Sequence, residues 1–209
     1  MTENQPSVDV LPTAVIVSAT TVAQVKLYNR TSDAMKIQTR ITSEDGAELS
    51  ADNADVAVSP RTLTLGDRGY RRLKIVSAGP VSDRELRFQL ALEQVGGPAE
   101  APSAAAPIPS VWIFYRPVAV EAPSFKAAAE VTVTTEPTRL TFKNPTPYYV
   151  NLASVTVDDT NVLAAESDTW IPSLGTRSFE VTVPTGAVIT WRAHVVKNPA
   201  VGPFTAVAR

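Results

Sequence analysis

The chain offers few side chains able to carry covalent or metal chemistry. Its single histidine, His194, is the one group that could act as a general base near neutral pH, so any Ser-His-Asp arrangement would have to be built on it. Neither a nucleophile nor an orienting acid stands near it in sequence, and a histidine on a strand is the plainer reading. Asp158 and Asp159 are adjacent acids, but a Ca²⁺ loop needs several more oxygen ligands in a fixed frame. A solvated turn before Thr160-Asn161 accounts for them. The absence of cysteine removes disulfides, thiolate zinc and thiol nucleophiles together. No Gly-rich phosphate loop, P-loop or dinucleotide fingerprint is present. The expectation is a protein with no catalytic residue, no metal site, no cofactor and no enzymatic activity.

Charge narrows the partners. There are 19 basic and 21 acidic residues, for a net charge of −2. The densest cationic stretch, Arg71, Arg72 and Lys74, reads as the charged edge of a strand, so no nucleic acid is expected. No apolar run approaches the ~18–20 residues needed to span a bilayer as a helix. The start of the chain, residues 1–9, is polar and lacks the layout of a secretory signal. The expectation is either a cytoplasmic protein or a mature form carrying an added initiator Met.

The elements that must position any site are strands. Apolar residues make up 44% of 209 residues, and 17 prolines leave little room for long helices. Leu86, Phe88, Leu90 and Leu92 alternate with Arg87, Gln89 and Glu93, the pattern of a strand with one buried face. Shorter segments of the same kind are predicted at 21–28, 34–41, 54–58, 70–76 and Val111–Tyr115. In the second half they fall at 129–134, Arg139–Lys143, 148–157, 177–183, 187–196 and 204–208. Turn clusters such as Glu44-Asp45-Gly46, Leu65-Gly66-Asp67 and Pro184-Thr185-Gly186 separate them. About six or seven short strands in each half predict an all-β chain of two immunoglobulin-like sandwiches. The proline- and alanine-rich stretch 96–110 is expected to be a long loop, because proline cannot donate to a ladder. The domains are placed at 8–119 and 122–209, with the boundary in the connector 117–123.

At Ile113-Phe114-Tyr115-Arg116-Pro117 the sequence resembles the ending of a first-domain strand in the periplasmic chaperones of the chaperone–usher pathway, which assemble pili. Ser82-Asp83-Arg84-Glu85, Asn144-Pro145-Thr146-Pro147-Tyr148-Tyr149 and Ile189-Thr190-Trp191 resemble further motifs of that family in the same order. Ser59-Pro60 with Leu65 and Leu73 fits more loosely. The resemblance covers nearly the whole chain beyond Val10. It implies an L-shaped pair of sandwiches in the periplasm whose first domain lends an edge strand to a pilin-like subunit lacking one, for delivery to an outer-membrane usher. Such strand addition draws affinity from main-chain hydrogen bonds and specificity from alternate side chains.

On this resemblance the subunit-binding residues are Ile108, Val111, Trp112 and Ile113. Glu85 and Arg116 form the interdomain frame, with the frame's usual third member, an Asp, falling at Val196. The chain also departs from the family pattern. Two basic residues that usually hold a subunit carboxylate fall at Ala14 and Trp112, neither of which can do so. The donor positions Ser103, Ala105, Pro107 and Pro109 are small or are prolines, which implies a shorter or shifted donor segment. An open edge also admits self-association of two copies. The rival expectation is a structural or adhesive module with the same fold, retained in a surface assembly.

Overall fold

The computed structural model describes residues 7–49, 55–95, 108–120, 122–123, 125–164 and 168–209. It divides into two compact units, one of Met1–Ser82 with Leu86–Val118, the other of Asp83–Glu85 with Ala119–Arg209. Each is a pair of facing sheets, and among the described residues the only helical element is one 3₁₀ segment, Phe125–Glu130.

The first unit contains β1 (Val8–Leu11), β2 (Ala14–Val17), β3 (Ala23–Asn29), β4 (Met35–Ser43), β5 (Val56–Ser59), β6 (Thr62–Leu65), β7 (Tyr70–Ser77), β8 (Leu86–Val95) and β9 (Val111–Tyr115). One sheet runs β1-β3-β7-β5 and the other β2-β9-β8-β4-β6. Alternation drives the layering: Leu73 and Ile75 of β7 are fully buried between exposed Arg72, Lys74 and Val76. With Leu27, Ile37, Leu65, Leu90 and Ile113 they form one dry core between the sheets. The cationic stretch Arg71, Arg72 and Lys74, expected at the charged edge of a strand, lies on β7. β3 pairs with all three, but β5 reaches only Lys74, so among the described residues Arg71 and Arg72 are paired on one side and Lys74 on both.

The second unit contains β10 (Thr132–Glu136), β11 (Arg139–Lys143), β12 (Val150–Val157), β13 (Thr160–Asn161), β14 (Trp170–Ile171), β15 (Thr176–Glu180), β16 (Val188–Val195) and β17 (Val201–Val207). One sheet is β10-β11-β15; the other is β13-β12-β16-β17, with β14 also on β12. Leu140, Phe142, Leu152, Ile171 and Ile189 are fully buried, and Trp191 meets Phe142 edge-on at 5.7 Å. The strand expected at 129–134 starts only at Thr132, because Ala127 and Ala128 are buried by the 3₁₀ turn that precedes it. Asp158 and Asp159 form the two-residue connection of the β12–β13 hairpin, with φ of 46° and 64°. Positive φ at both central residues is what a type I′ turn requires, and Asp tolerates it better than most residues. The Asp158 carboxylate accepts the Val188 N–H at 2.8 Å. The acid pair is structural.

One local device appears in both units. Asn144 is fully buried; its amide donates to Tyr148 O (2.6 Å) and Pro172 O (3.0 Å), while its Oδ1 accepts from Thr146 N (3.0 Å) and Thr146 Oγ1 (2.7 Å). Asn29 does the same in the first unit, donating to Asp33 O (2.7 Å) and Gly66 O (2.8 Å) and accepting from Thr31 N and Thr31 Oγ1. In each case an Asn-x-Thr sequence follows the body of a strand and ties the turn beyond it to a distant loop. Four bonds per amide leave no buried polar atom of the side chain unsatisfied.

Candidate functional site

β9 holds three of the four residues expected to bind a partner. It does not lie on an edge. β2 pairs with it in parallel, from Ala14↔Trp112 to Val17↔Tyr115, and β8 pairs with it antiparallel from Leu86↔Tyr115 to Leu90↔Val111. The Trp112 N–H donates to Thr13 O at 2.9 Å and the Arg116 N–H to Val17 O at 2.8 Å. Val111 and Ile113 are fully buried in the core of the first unit. The expectation that Val111, Trp112 and Ile113 form an open edge strand is therefore corrected. Their backbone is engaged by this chain's own β8 and, from Trp112 on, by β2, a strand too short for alternation to announce it.

Among the described residues, one-sided pairing occurs further along β8. Residues 91–95 of β8 pair with β4, from Arg40↔Ala91 to Lys36↔Val95, but β9 pairing stops at Leu90. Among the described residues nothing pairs with 91–95 on the other side, which leaves a five-residue ladder about 17 Å long. The chain entering β9 is held near its corner: Ser110 Oγ accepts the Gln89 side-chain amide at 2.9 Å, and Ile108 is half-buried against the core. Ile108 thus packs inward in this structure. Ser103, Ala105 and Pro107 lie outside the described residues.

The outer face of the same sheet carries a charge that the sequence reading left on a solvated face. Ala14 and Trp112, the two neutral residues at the expected basic positions, are register partners. The Arg87 guanidinium lies 4.5 Å from the centre of the Trp112 ring, and its Nη2 is 3.2 Å from Glu44 Oε1. The Arg87 side chain is only 5% exposed. Alternation along β8 put Arg87 on the outer face correctly, but which residue covers that face depends on the β8–β9 register. A cation therefore stands beside Trp112 although Trp112 itself carries none.

Glu85 is 1% exposed and belongs to the second unit. Its Oε2 accepts the Tyr149 N–H at 2.9 Å, its own N–H donates to Pro147 O at 2.8 Å, and its carbonyl accepts the Ser173 hydroxyl at 2.8 Å. It thereby fixes the second half of the Asn144 motif. Arg116 follows β9 in the first unit. His194 sits on β16 opposite Asn151, with its ring edge-on to Trp170 at 5.9 Å. Burial lowers its pKa below the usual imidazole value. No nucleophile is brought to it among the described contacts.

Comparison with known proteins gives a consistent result. The N-terminal domain model of PapD, a pili and flagellar-assembly chaperone, matches residues 7–121, and the C-terminal domain model of the pili assembly chaperone PapD matches residues 126–194. The fold matches the structure of the Salmonella enterica SafA pilin in complex with the SafB chaperone, at TM-score 0.77 and 25% identity over 97% of both chains. It also matches the E. coli chaperone DraB (TM-score 0.75, 23% identity, 97% of both chains). A third match is the Pseudomonas aeruginosa CupB2 chaperone (TM-score 0.69, 20% identity, 95% of this chain and 98% of the other). No curated protein matches the chain by sequence.

Proposed function

The chain belongs to the PapD-like family of pili-assembly chaperones, and we propose that it holds a pilin-like subunit by strand addition to the β2-β9-β8-β4-β6 sheet. The family is non-enzymatic, so the free energy for this task comes from backbone pairing and apolar burial. One observation carries the reading: residues 91–95 of β8 are paired on one side only among the described residues, directly beyond the Leu90↔Val111 pair at which β9 begins. Unpaired ladder groups on a sheet invite another chain. A subunit strand laid there extends the same sheet without displacing β2 and meets Ile108 at the corner. The structure of the SafA pilin in complex with the SafB chaperone supplies a similar chaperone held with a pilin. On the same reading the protein works in the periplasm and passes its cargo to an outer-membrane usher.

The test is co-expression with pilin-like subunits. The expected result is a soluble one-to-one complex from which the chaperone is absent once fibres form. Failure of every subunit to form such a complex contradicts the reading. One observation favours a second reading, a structural or adhesive module retained in the assembly: Ala14 and Trp112 leave the usual carboxylate-holding positions uncharged. Recovery of this chain from finished fibres would select it.

A further inference from the structure

The outer face of the β1-β3-β7-β5 sheet concentrates charge in a way that the fold does not need. On that face Lys26 of β3 stands directly opposite Arg72 of β7, and Lys74 follows two residues along, opposite Gln24. All three side chains are exposed. Like charges placed directly across a ladder destabilise a sheet. Among the described residues none of the three has an ion-pair partner. Several strand-borne arginines elsewhere do have acidic partners: Arg40 pairs with Glu48 and Glu93, Arg87 with Glu44, Arg139 with Glu180, and Arg177 with Asp168. The cluster also runs against the net charge of −2. At one end of it Tyr28 and Tyr70 lie 5.9 Å apart, and Tyr70 is 54% exposed. Lys26 is paired to β1 and β7 and Lys74 to β3 and β5, so both stand at interior positions of the sheet, while Arg72 lies two residues beyond the end of the β5 pairing.

We infer that this face docks an extended acidic polypeptide segment whose carboxylates recur at every second residue. Side chains on one face of a strand repeat at about 7 Å, so Arg72 and Lys74 match alternate acids of an extended chain, and Lys26 meets either of them. The tyrosines give such a segment an apolar and hydrogen-bonding contact at its end. An anionic lipid surface fits less well, because its headgroups are not held at the fixed repeat of about 7 Å that alternate residues of a strand present.

The probe is a fluorescein-labelled peptide of alternating Thr and Glu, titrated with the full chain and followed by anisotropy. The wild type should bind at about 50 mM NaCl and weaken roughly ten-fold by about 200 mM, as screened charge contacts do. A Thr-Gln peptide should not bind. The triple variant Lys26→Gln, Arg72→Gln, Lys74→Gln should lose roughly ten-fold or more in affinity. A control triple that removes the same charge elsewhere, Lys36→Gln, Lys143→Gln, Arg192→Gln, should bind as the wild type does. The face variant should also melt at the same temperature as the wild type or higher, because a like-charge opposition has been removed. No binding by the wild type, or equal loss in both triples, overturns the inference. So does binding to phosphatidylglycerol–phosphatidylcholine vesicles, abolished in the face variant, without binding to the peptide.

Discussion

Replacing Arg87 tests whether the outer face of the β9 sheet is held by a cation on an aromatic ring. In the native protein the guanidinium lies 4.5 Å from the centre of the Trp112 ring, and the Arg87 side chain is 5% exposed. Cation–π contacts contribute about 0.5–1 kcal/mol when exposed and about 2 when desolvated, so the low exposure places this one near the upper figure. The Glu44 carboxylate, 3.2 Å away, is 38% exposed, and solvent screening holds that pair to about 0.5–1 kcal/mol. Arg87→Met keeps the apolar stem and removes both contacts, for an expected loss of about 2–3 kcal/mol. Trp112→Leu isolates the ring. The double-mutant cycle should give a coupling of about 1–2 kcal/mol in urea unfolding of the first unit followed by circular dichroism. A coupling below about 0.3 kcal/mol would refute the reasoning, because Arg87 would then cost the same to remove whether or not the ring is present.

Four further outcomes follow from the geometry. Ile113→Ala should destabilise the first unit by about 2–5 kcal/mol in urea unfolding, since Ile113 is fully buried; a loss under about 1 kcal/mol would place it outside the core. Val111→Glu should for the same reason unfold the unit rather than weaken partner binding alone, and a folded Val111→Glu protein contradicts the assignment. Asn29→Ala and Asn144→Ala each remove four hydrogen bonds and strand buried partners, so each should cost about 2–4 kcal/mol in its own unit and little in the other. His194 is disfavoured in its charged form by burial. Below the ordinary imidazole pKa the unfolded chain therefore takes up a proton that the folded chain resists. Stability should be full above that value and fall as the pH drops from about 7 toward 5.5. His194→Gln should flatten that slope in thermal melts; an unchanged slope would assign it to other groups.

The residues differ in how much of their place was legible from sequence. The alternation of Leu86, Phe88, Leu90 and Leu92 fixed both the strand and its buried face, because a period of two is a local property. β1, β2, β6, β13 and β14 span only two to four residues each, too few for a period to show. Which strand is an edge is not local at all. β9 reads the same whether or not β2 covers it, so the open edge was expected at Ile108, Val111, Trp112 and Ile113, whereas among the described residues the one-sided pairing is at 91–95 of β8. The Asn144 motif was legible as a resemblance, yet its counterpart at Asn29 was not, although Asn29-Arg30-Thr31 repeats the Asn-x-Thr spacing. The equivalence appears only when the four hydrogen bonds are compared. Likewise Arg87 was placed on the correct face, but its ring partner comes from another strand through register.

Amide hydrogen exchange across 91–95 of β8 tests the central claim most directly. In the free protein the amides there that β4 does not engage should exchange quickly, while those of Val111–Tyr115 stay protected by β2 and β8. Adding a pilin-like subunit should slow the 91–95 amides and leave the Val111–Tyr115 rates unchanged. Equal exchange at 91–95 with and without a bound subunit, or protection there already in the free chain, would contradict strand addition at this flank.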